Sequence, residues 1–497
     1  MLIQVQQMLP NDLILLLWAA VLIYFLARRQ YWPAVVLATS FAIMAPALIV
    51  GSRRLSPLYI LTIILLADCL LAVKHGELKL FAHTADRWFG ISMGLAFLLY
   101  GLGYAVNNRQ EGSAFVVAMA GYLQVLLLPL LFFYLFKRMS RRSVYKVLTL
   151  SILITVAVNL IFAVLQRAFY QQAYNLTYAL YASDGRYKPL NEVAKLGYFD
   201  RIFGTFYSPT LLGLTALMML AFLLSVWLGR QPGLWEKSGL GDRPDVTAAQ
   251  KARQQTGLIL VASALLLHLA IIAYTKIVIL GLPVFIIYWV ILLAFFPAQR
   301  KAMYQRWAVI LGLAAAVYVI TYFTIPAFSH NARDYYYGLL LQPLNSLTSR
   351  YGSVKLNQST QNMEAAVNSN RGITASAVEV IKNHWLIGVG PLSIKQEFLG
   401  DSQVVQVLHN GGVLALLCYL SFYGYVYLKG WCYKNLPLLS LIPAFLIGAL
   451  AAVAMDSRQM MPFIAFLIYE TTALPRLSAR FKKSKRADRQ NPKASGV

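Results

Sequence analysis

Residues 113–136 read SAFVVAMAGYLQVLLLPLLFFYLF, a run of 24 residues without a charged side chain. A helix rises about 1.5 Å per residue, so this run is long enough to cross the ~30 Å hydrocarbon core of a bilayer. The whole chain agrees, since 59% of its 497 residues are hydrophobic and 13% are charged, against about 45–50% and 25% in soluble domains. This composition excludes a soluble enzyme. Thirteen apolar segments can be marked, at 13–27, 34–51, 58–73, 89–106, 113–136, 147–165, 209–228, 257–275, 277–296, 307–325, 404–428, 437–455 and 462–475.

We therefore predict an all-α polytopic integral membrane protein with roughly 12–14 transmembrane helices. Residues 1–475 form a single transmembrane domain, and residues 476–497 form a basic tail. The net charge of +25 would suggest nucleic acid as the partner of a soluble protein. Here, however, 28 of the 44 Lys and Arg residues lie in the connections on the side of that tail. By the positive-inside rule, this distribution favours a cytoplasmic tail and an outside N-terminus, although one miscounted early span would turn the N-terminus inward. The expected partner of the chain is the lipid bilayer, with no nucleic acid.

Two connections are much longer than the others, at 167–207 and 326–403, and both fall on the outer side. Loops of this length are usually functional or disordered, and the many Tyr, Leu, Val and Trp residues in these two argue against disorder. Within the second loop, residues 371–384 (RGITASAVEVIKNH) place apolar side chains at helical spacing. This spacing predicts a short amphipathic helix on the outer membrane face, followed by a turn at 388–391.

The candidate site residues are polar groups that all map to the outer face. Arg201, Arg371 and His409 are the candidate catalytic residues. The candidate substrate-binding residues are Lys276, Asn410, Asp456 and Arg458. For any single arginine, the competing interpretation is that the side chain snorkels to lipid phosphate. The chain has no Asp-x-Asp pair, P-loop or His-Glu-x-x-His motif, and its three cysteines are not spaced as metal ligands, so we expect neither a metal nor another cofactor.

Three short patterns occur in a fixed order on that face: Arg-x-x-Gly-Thr-Phe-x-x-Pro at 201–209, an arginine-headed helix ending in Gly-Val-Gly at 371–390, and His-Asn at 409–410. Together they resemble the O-antigen ligase and Wzy-type polymerase superfamily, over roughly residues 195–430. The chain departs from the family pattern in three places. It has Thr275-Lys276 where the family often has Ser-Arg, Ala375 where an aromatic is usual, and Trp385 where a proline is usual.

The resemblance implies a GT-C-like helical bundle in the bacterial inner membrane, with a large periplasmic loop over its active site. Members of the superfamily transfer glycans from undecaprenyl pyrophosphate without a metal. Arginine forks bind a diphosphate in bidentate fashion, so Arg201 and Arg371 are expected to form the diphosphate clamp. His409 is the expected base or hydrogen-bond partner of the acceptor hydroxyl. Asp456 would orient the imidazole or the acceptor sugar.

Three functions remain open at this stage. We favour a polymerase that joins lipid-linked repeat units, with a lipid-pyrophosphate glycan donor, a glycan acceptor, a flippase and a chain-length regulator as its partners. A ligase would transfer the finished glycan to lipid A core or to a protein, and the lack of a soluble domain after residue 475 argues against a protein acceptor. A transporter is the third candidate. Transporters typically have charges and broken helices at mid-membrane, whereas the charges here are expected at one face.

Overall fold

The computed structural model describes residues 2–50, 53–107, 112–181, 204–206, 209–228, 246–273, 276–324, 379–391, 402–451 and 457–474. Within these ranges the chain is mostly helical. In chain order its longer helices are α1 (Leu2–Ala27), α2 (Tyr31–Met44), α3 (Leu58–Lys74), α4 (Thr84–Asn107), α5 (Gly112–Lys137), α6 (Arg141–Ala168), α7 (Tyr170–Tyr181), α8 (Pro209–Leu228), α9 (Val246–Ile272), α10 (Lys276–Ala294), α11 (Pro297–Thr324), α12 (Gln403–Cys432), α13 (Leu436–Ala451) and α14 (461–474).

Each of the thirteen predicted apolar segments coincides with one of these helices over most of its length. Among the residues that the structure describes, four helices are long and apolar enough to cross a membrane: α4, α5, α6 and α12. Shorter apolar helices accompany them, among them α2, α13 and much of α1. Large apolar side chains on their outward faces are widely exposed, as at Phe323 with 78% exposed. Such a surface is typical of helices in contact with lipid rather than water.

The predicted span at 34–51 is wrong in its last third. Helix α2 ends at Met44, and Ala45 adopts an extended conformation because the residue before a proline, here Pro46, is disfavoured in the helical region. The chain then forms an antiparallel hairpin in which β1 (Leu48–Val50) pairs with β2 (Arg53–Leu55). Apart from this hairpin, the described chain is mostly helical, which is consistent with the predicted all-α class.

The described parts of the two long loops that were predicted to be outer include helical structure. The first, predicted as a loop over 167–207, begins with helix α7. In the second, the described part of the predicted amphipathic helix is a short helical stretch at 379–383. The rest of that predicted helix lies outside the described residues.

Contacts between connections agree with the predicted alternation of the helices. On the side assigned to the cytoplasm, Arg29 forms an ion pair with Glu77 at 2.6 Å, and Lys137 Nζ donates to the Lys79 carbonyl. On the opposite side, the Ala47 N–H donates to the Leu180 carbonyl. Connections predicted to share a side therefore touch each other, while the assignment of one side to the cytoplasm stays a prediction.

A buried group of polar residues, which we call the arginine cluster, joins three elements on the predicted cytoplasmic side. It consists of Arg141 at the start of α6, Asn435 before α13 and Glu470 in α14. Arg141 binds both carboxylate oxygens of Glu470, and Asn435 Nδ2 donates to Glu470 Oε1 at 2.7 Å. The Glu470 side chain is fully buried, so its charge is stabilised by these partners rather than by water.

Helix α14, the last of the described helices, lies in the middle of the bundle. Its side chains from Phe463 to Ile468 are all buried. Phe466 makes edge-to-face ring contacts with Tyr145 of α6 and Phe222 of α8. The helix that positions the candidate site is α12, which packs most extensively against α4.

Candidate functional site

The candidate site is built around a break in helix α12. Gly412 has φ 66° and ψ −167°, which separates the helix into the half-helices 403–411 and 413–432. Such a break leaves carbonyl groups at the end of the first half and N–H groups at the start of the second without intrahelical partners. These groups are buried in an apolar bundle, so each needs a hydrogen-bond partner from elsewhere in the chain.

Residues 384–390, near the C-terminal end of the second long loop, supply the partners of the first half-helix. The Val389 N–H donates to the His409 carbonyl at 2.8 Å, and the Gly390 N–H donates to the Asn410 carbonyl at 2.9 Å. We call this stretch the 384–390 segment. It holds the main chain at the two residues that the sequence singled out as His-Asn.

The same segment also accepts hydrogen bonds from the first N–H groups of the second half-helix. The Val413 N–H donates to the Trp385 carbonyl at 2.8 Å, and the Leu414 N–H donates to the Leu386 carbonyl at 3.3 Å. The segment thus binds both sides of the break. The broken helix and the end of the long loop form one unit in which neither part could keep its hydrogen bonds alone.

Close approach of three backbones requires glycine at several positions in this unit, among them Gly388 and Gly103. At Gly388, φ is +75° and an added Cβ would lie 2.5 Å from the His409 carbonyl oxygen. At Gly103 of α4, an added Cβ would lie 2.9 Å from the Gly390 nitrogen and 3.0 Å from the Asn410 carbonyl oxygen. Helix α4 therefore contacts both the segment and the break at its main chain, which is why α4 and α12 pack so closely.

The side chains of His409 and Asn410 belong to a hydrogen-bonded chain that ends on helix α5. His409 Nδ1 lies 3.1 Å from Asn410 Oδ1, and Asn410 Nδ2 donates to the Tyr122 hydroxyl oxygen at 2.8 Å. Both side chains are buried. At the edge of the unit, Asn107 Nδ2 donates to the Gly388 carbonyl at 2.6 Å, which ties the segment to the end of α4.

Two described residues of the first motif, at 201–209, are hydrogen-bonded to helix α6 rather than to α12. Gln166 accepts a hydrogen bond from the Gly204 N–H at 3.1 Å and donates to the Gly204 carbonyl at 3.2 Å. Asn159 Oδ1 accepts from the Thr205 N–H at 2.9 Å and from the Thr205 hydroxyl at 3.3 Å. Asn159 and Gln166 are seven residues apart, so both lie on one face of α6. We call these two residues with Gly204 and Thr205 the amide clamp.

The structure describes only some of the predicted site residues. His409 and Asn410 lie at the break, as just described, and His409 is in the second turn of α12. Lys276 is the first residue of α10, in agreement with the predicted short link. Arg458 opens the 3₁₀ turn Arg458–Met460 and is half-buried.

Three predicted site residues, Arg201, Arg371 and Asp456, lie outside the described residues. The nearest described neighbours of Arg201 in sequence are those of the amide clamp, and Pro209 begins α8 as the sequence predicted. Among the residues that the structure describes, no three His, Cys, Asp or Glu side chains are grouped as metal ligands would be.

Sequence reasoning missed the residues that hold the site together, namely Tyr122, Asn107, Asn159 and Gln166. Each is a polar side chain in or at the end of an apolar helix. A polar residue in such a position needs a partner, and that is the signal that could have identified them. The sequence alone does not reveal which partner it has.

Comparison with protein-family models, with curated proteins and with solved structures finds no match to this chain. The resemblance to the O-antigen ligase and Wzy-type polymerase superfamily therefore rests on the short motifs at 201–209, 371–390 and 409–410. What the chain does has to follow from the chemistry of those residues and of the groups that hold them.

Proposed function

We propose that this protein is a metal-independent membrane glycosyltransferase of GT-C-like fold. It would polymerise undecaprenyl-pyrophosphate-linked repeat units at the periplasmic face of the bacterial inner membrane, for exopolysaccharide, capsule or O-antigen. In this proposal Arg201 and Arg371 bind the diphosphate, and His409 accepts the proton of the acceptor hydroxyl. Lys276, Asp456 and Arg458 lie around the substrates.

One observation carries the proposal. The Gly-Val-Gly element at 388–390 and the His409-Asn410 element, separated by a further stretch of outer loop, are hydrogen-bonded to each other main chain to main chain. Two of the three short patterns that resemble the superfamily thus belong to one rigid unit. A histidine held this firmly at the end of a long loop suits a reaction that needs a group of fixed geometry.

The proposed chemistry needs few protein groups. The acceptor hydroxyl oxygen attacks C1 of the donor sugar, the bond from C1 to the pyrophosphate oxygen breaks, and the electron pair leaves with undecaprenyl pyrophosphate. The hydroxyl proton passes to His409. Because pyrophosphate is already a good leaving group, the protein has only to stabilise the developing charge, orient the acceptor and take that proton.

A ligase that transfers glycan to lipid A core or to a protein would use the same groups, and it remains the first alternative. The transporter alternative gains one observation, the broken helix α12, because broken helices line substrate sites in many transporters. In this chain, however, the main-chain groups around the break are hydrogen-bonded to the 384–390 segment. They are therefore not presented to a solute, and we keep the transporter as the second alternative.

The test is the glycan ladder made in cells that express each variant at matched membrane levels. If the two arginines grip the diphosphate as forks, Arg201→Lys and Arg371→Lys should each lose about 2–4 kcal/mol of transition-state stabilisation, or roughly 30- to 1000-fold in rate. His409→Ala should lose about 100- to 10,000-fold. Arg109→Ala, in a short outer loop without a motif, is the control and should leave the ladder unchanged. Near-normal ladders from all three site variants would refute the proposed site.

A further inference from the structure

We infer that Tyr122 is a positioning residue, which acts through Asn410 to hold the imidazole of His409 as the tautomer that carries its proton on Nδ1. The catalytic meaning of this inference rests on the proposed function. The tautomer itself does not, because it follows from the described contacts of three side chains. Tyr122 was not among the residues that the sequence singled out.

The first step is the contact between neighbouring side chains. His409 Nδ1 lies 3.1 Å from Asn410 Oδ1. An amide oxygen can only accept a hydrogen bond, so the contact is a hydrogen bond only when Nδ1 carries a hydrogen. In a neutral imidazole with its hydrogen on Nδ1, the basic lone pair is on Nε2. The proton-accepting nitrogen of His409 is therefore Nε2.

The second step is the orientation of the amide, which decides the tautomer. If the Asn410 amide were turned over, its NH₂ group would face Nδ1, and Nδ1 would have to be the acceptor. The Tyr122 hydroxyl oxygen lies 2.8 Å from Asn410 Nδ2 and accepts its hydrogen bond. With the NH₂ group donating to the Tyr122 hydroxyl oxygen, the carbonyl oxygen of the amide faces His409 Nδ1.

The third step is the rigidity of all three partners. The His409 and Asn410 carbonyls are bound by the 384–390 segment, so neither main chain can rotate away. The Tyr122 ring packs edge-to-face against Tyr100 of α4, with 4.9 Å between ring centroids. Both His409 and Asn410 are buried, so water does not compete for their side-chain hydrogen bonds.

The consequence for the proposed reaction is direct. A base that must take the acceptor proton on Nε2 is useless while Nε2 already carries one. In a histidine base of comparable role, a substitution that leaves the wrong tautomer lowers the rate by about 10⁴-fold. Tyr122 and Asn410 therefore act on the rate of proton removal rather than on substrate binding.

The decisive measurement is the ¹⁵N spectrum of histidine-labelled full-length protein in lipid nanodiscs. The His409 ring signals are identified by their loss in His409→Gln. We expect neutral His409 with its hydrogen on Nδ1, both in the unmodified protein and in Asn410→Asp, which keeps an acceptor oxygen. In Tyr122→Phe and Asn410→Leu the hydrogen should move wholly or partly to Nε2. A neutral His409 with its hydrogen on Nε2 in the unmodified protein, or a tautomer unchanged in Tyr122→Phe, would overturn the inference.

The kinetic measurement uses the same variants with a lipid-pyrophosphate oligosaccharide as donor and acceptor. We expect Tyr122→Phe to lower kcat about 10-fold and Asn410→Leu about 100-fold or more, with KM changed less than about twofold. The control is Tyr288→Phe, which also removes a hydroxyl hydrogen bond, here the one donated to the Leu439 carbonyl at 2.7 Å, and it should leave kcat unchanged.

The two measurements separate the two proposals. If the unmodified protein makes no polymer from that donor, the proposed function fails, and the tautomer measurement still decides the role of Tyr122. If polymer forms and Tyr122→Phe changes KM rather than kcat, or loses no more activity than Tyr288→Phe, the positioning role fails while the proposed function stands.

Discussion

The two motif segments in the long loops are held by different kinds of hydrogen bond, one formed by side chains and the other by the main chain. Gly204 and Thr205 are held on helix α6 by the side-chain amides of Gln166 and Asn159. The 384–390 segment is held on helix α12 by main-chain hydrogen bonds on both sides of the break at Gly412. The first set of hydrogen bonds, the side-chain anchor, requires the amide side chains of Gln166 and Asn159. The second set, the main-chain anchor, requires that the backbones of the 384–390 segment and of α12 approach each other closely.

This difference determines which substitutions each anchor tolerates. A side-chain anchor can give way locally, because a crowded amide can rotate at the cost of its own hydrogen bonds. A main-chain anchor has no such freedom, since moving one carbonyl moves the helix that carries it. Only glycines leave room there, so we expect the second anchor to be sensitive at its glycines and insensitive at most of its side chains.

The largest effect is expected from Gly388→Ala. The added Cβ would lie 2.5 Å from the His409 carbonyl oxygen and 2.7 Å from the Gly411 nitrogen, both of them main-chain atoms. We expect the free energy of unfolding to fall by on the order of 4 kcal/mol or more, as in other severe backbone clashes. Thermal unfolding of the purified protein in detergent measures this loss.

Gly76→Ala is the matched control for that measurement. Gly76 has nearly the same left-handed backbone, with φ +71°, but nothing lies within 4 Å of its added Cβ. It should cost only the left-handed conformation, about 1–2 kcal/mol. Equal losses in the two variants would mean that the main-chain contact contributes nothing.

A smaller effect is expected from Gly204→Ala in the amide clamp. Here φ is +55°, and the added Cβ would overlap only the Asn159 side chain, first of all its Oδ1. We expect a loss of about 2–3 kcal/mol, the sum of the left-handed conformation and a displaced amide. The double variant with Asn159→Ala should lose less than the sum of the two single variants, by about 1 kcal/mol. If the losses of unfolding free energy in the two single variants simply added up in the double variant, the Asn159 side chain would not be the group that the added Cβ displaces.

The smallest effect is expected from Asn107→Leu, which removes one hydrogen bond to the Gly388 carbonyl. Asn107 is exposed, so water can replace its amide, and we expect a loss of about 0.5–1 kcal/mol. The buried counterpart is Gln166→Leu, which leaves both the N–H and the carbonyl of Gly204 without that side chain and should cost about 2 kcal/mol. The opposite order in thermal unfolding would contradict the comparison of the two anchors.

The sequence was sufficient to predict where the helices lie, because the length and apolar composition of each segment predict a helix without any knowledge of its contacts. Its error at the end of α2 came from hydropathy alone, since the Ala45-Pro46 pair that ends the helix is itself apolar. The hairpin that follows depends on pairing between β1 and β2, and hydropathy does not report pairing.

The candidate site was predictable only in part for a different reason. His409 and Asn410 could be singled out because they stand together at the start of an apolar helix. Tyr122 could not, because its partner Asn410 is 288 residues away in sequence. Asn159 binds a loop that returns 46 residues later. Local spacing carries no information about such partners, which are fixed only when the helices pack.

Helix α14 lies in the middle of the bundle but is the last of the described helices to be synthesised, so the order of synthesis limits when the helices can pack. Arg141 is synthesised 329 residues before Glu470, the carboxylate that neutralises it. Helices α6 and α8, which contribute the Tyr145 and Phe222 rings that contact Phe466, are likewise synthesised long before α14. The earlier helices can therefore complete their packing around α14 only after that helix has been synthesised. A chain released before residue 470 would leave the Arg141 guanidinium without its counter-ion and the apolar side chains around α14 without their packing partners, which would make it a target for proteolysis.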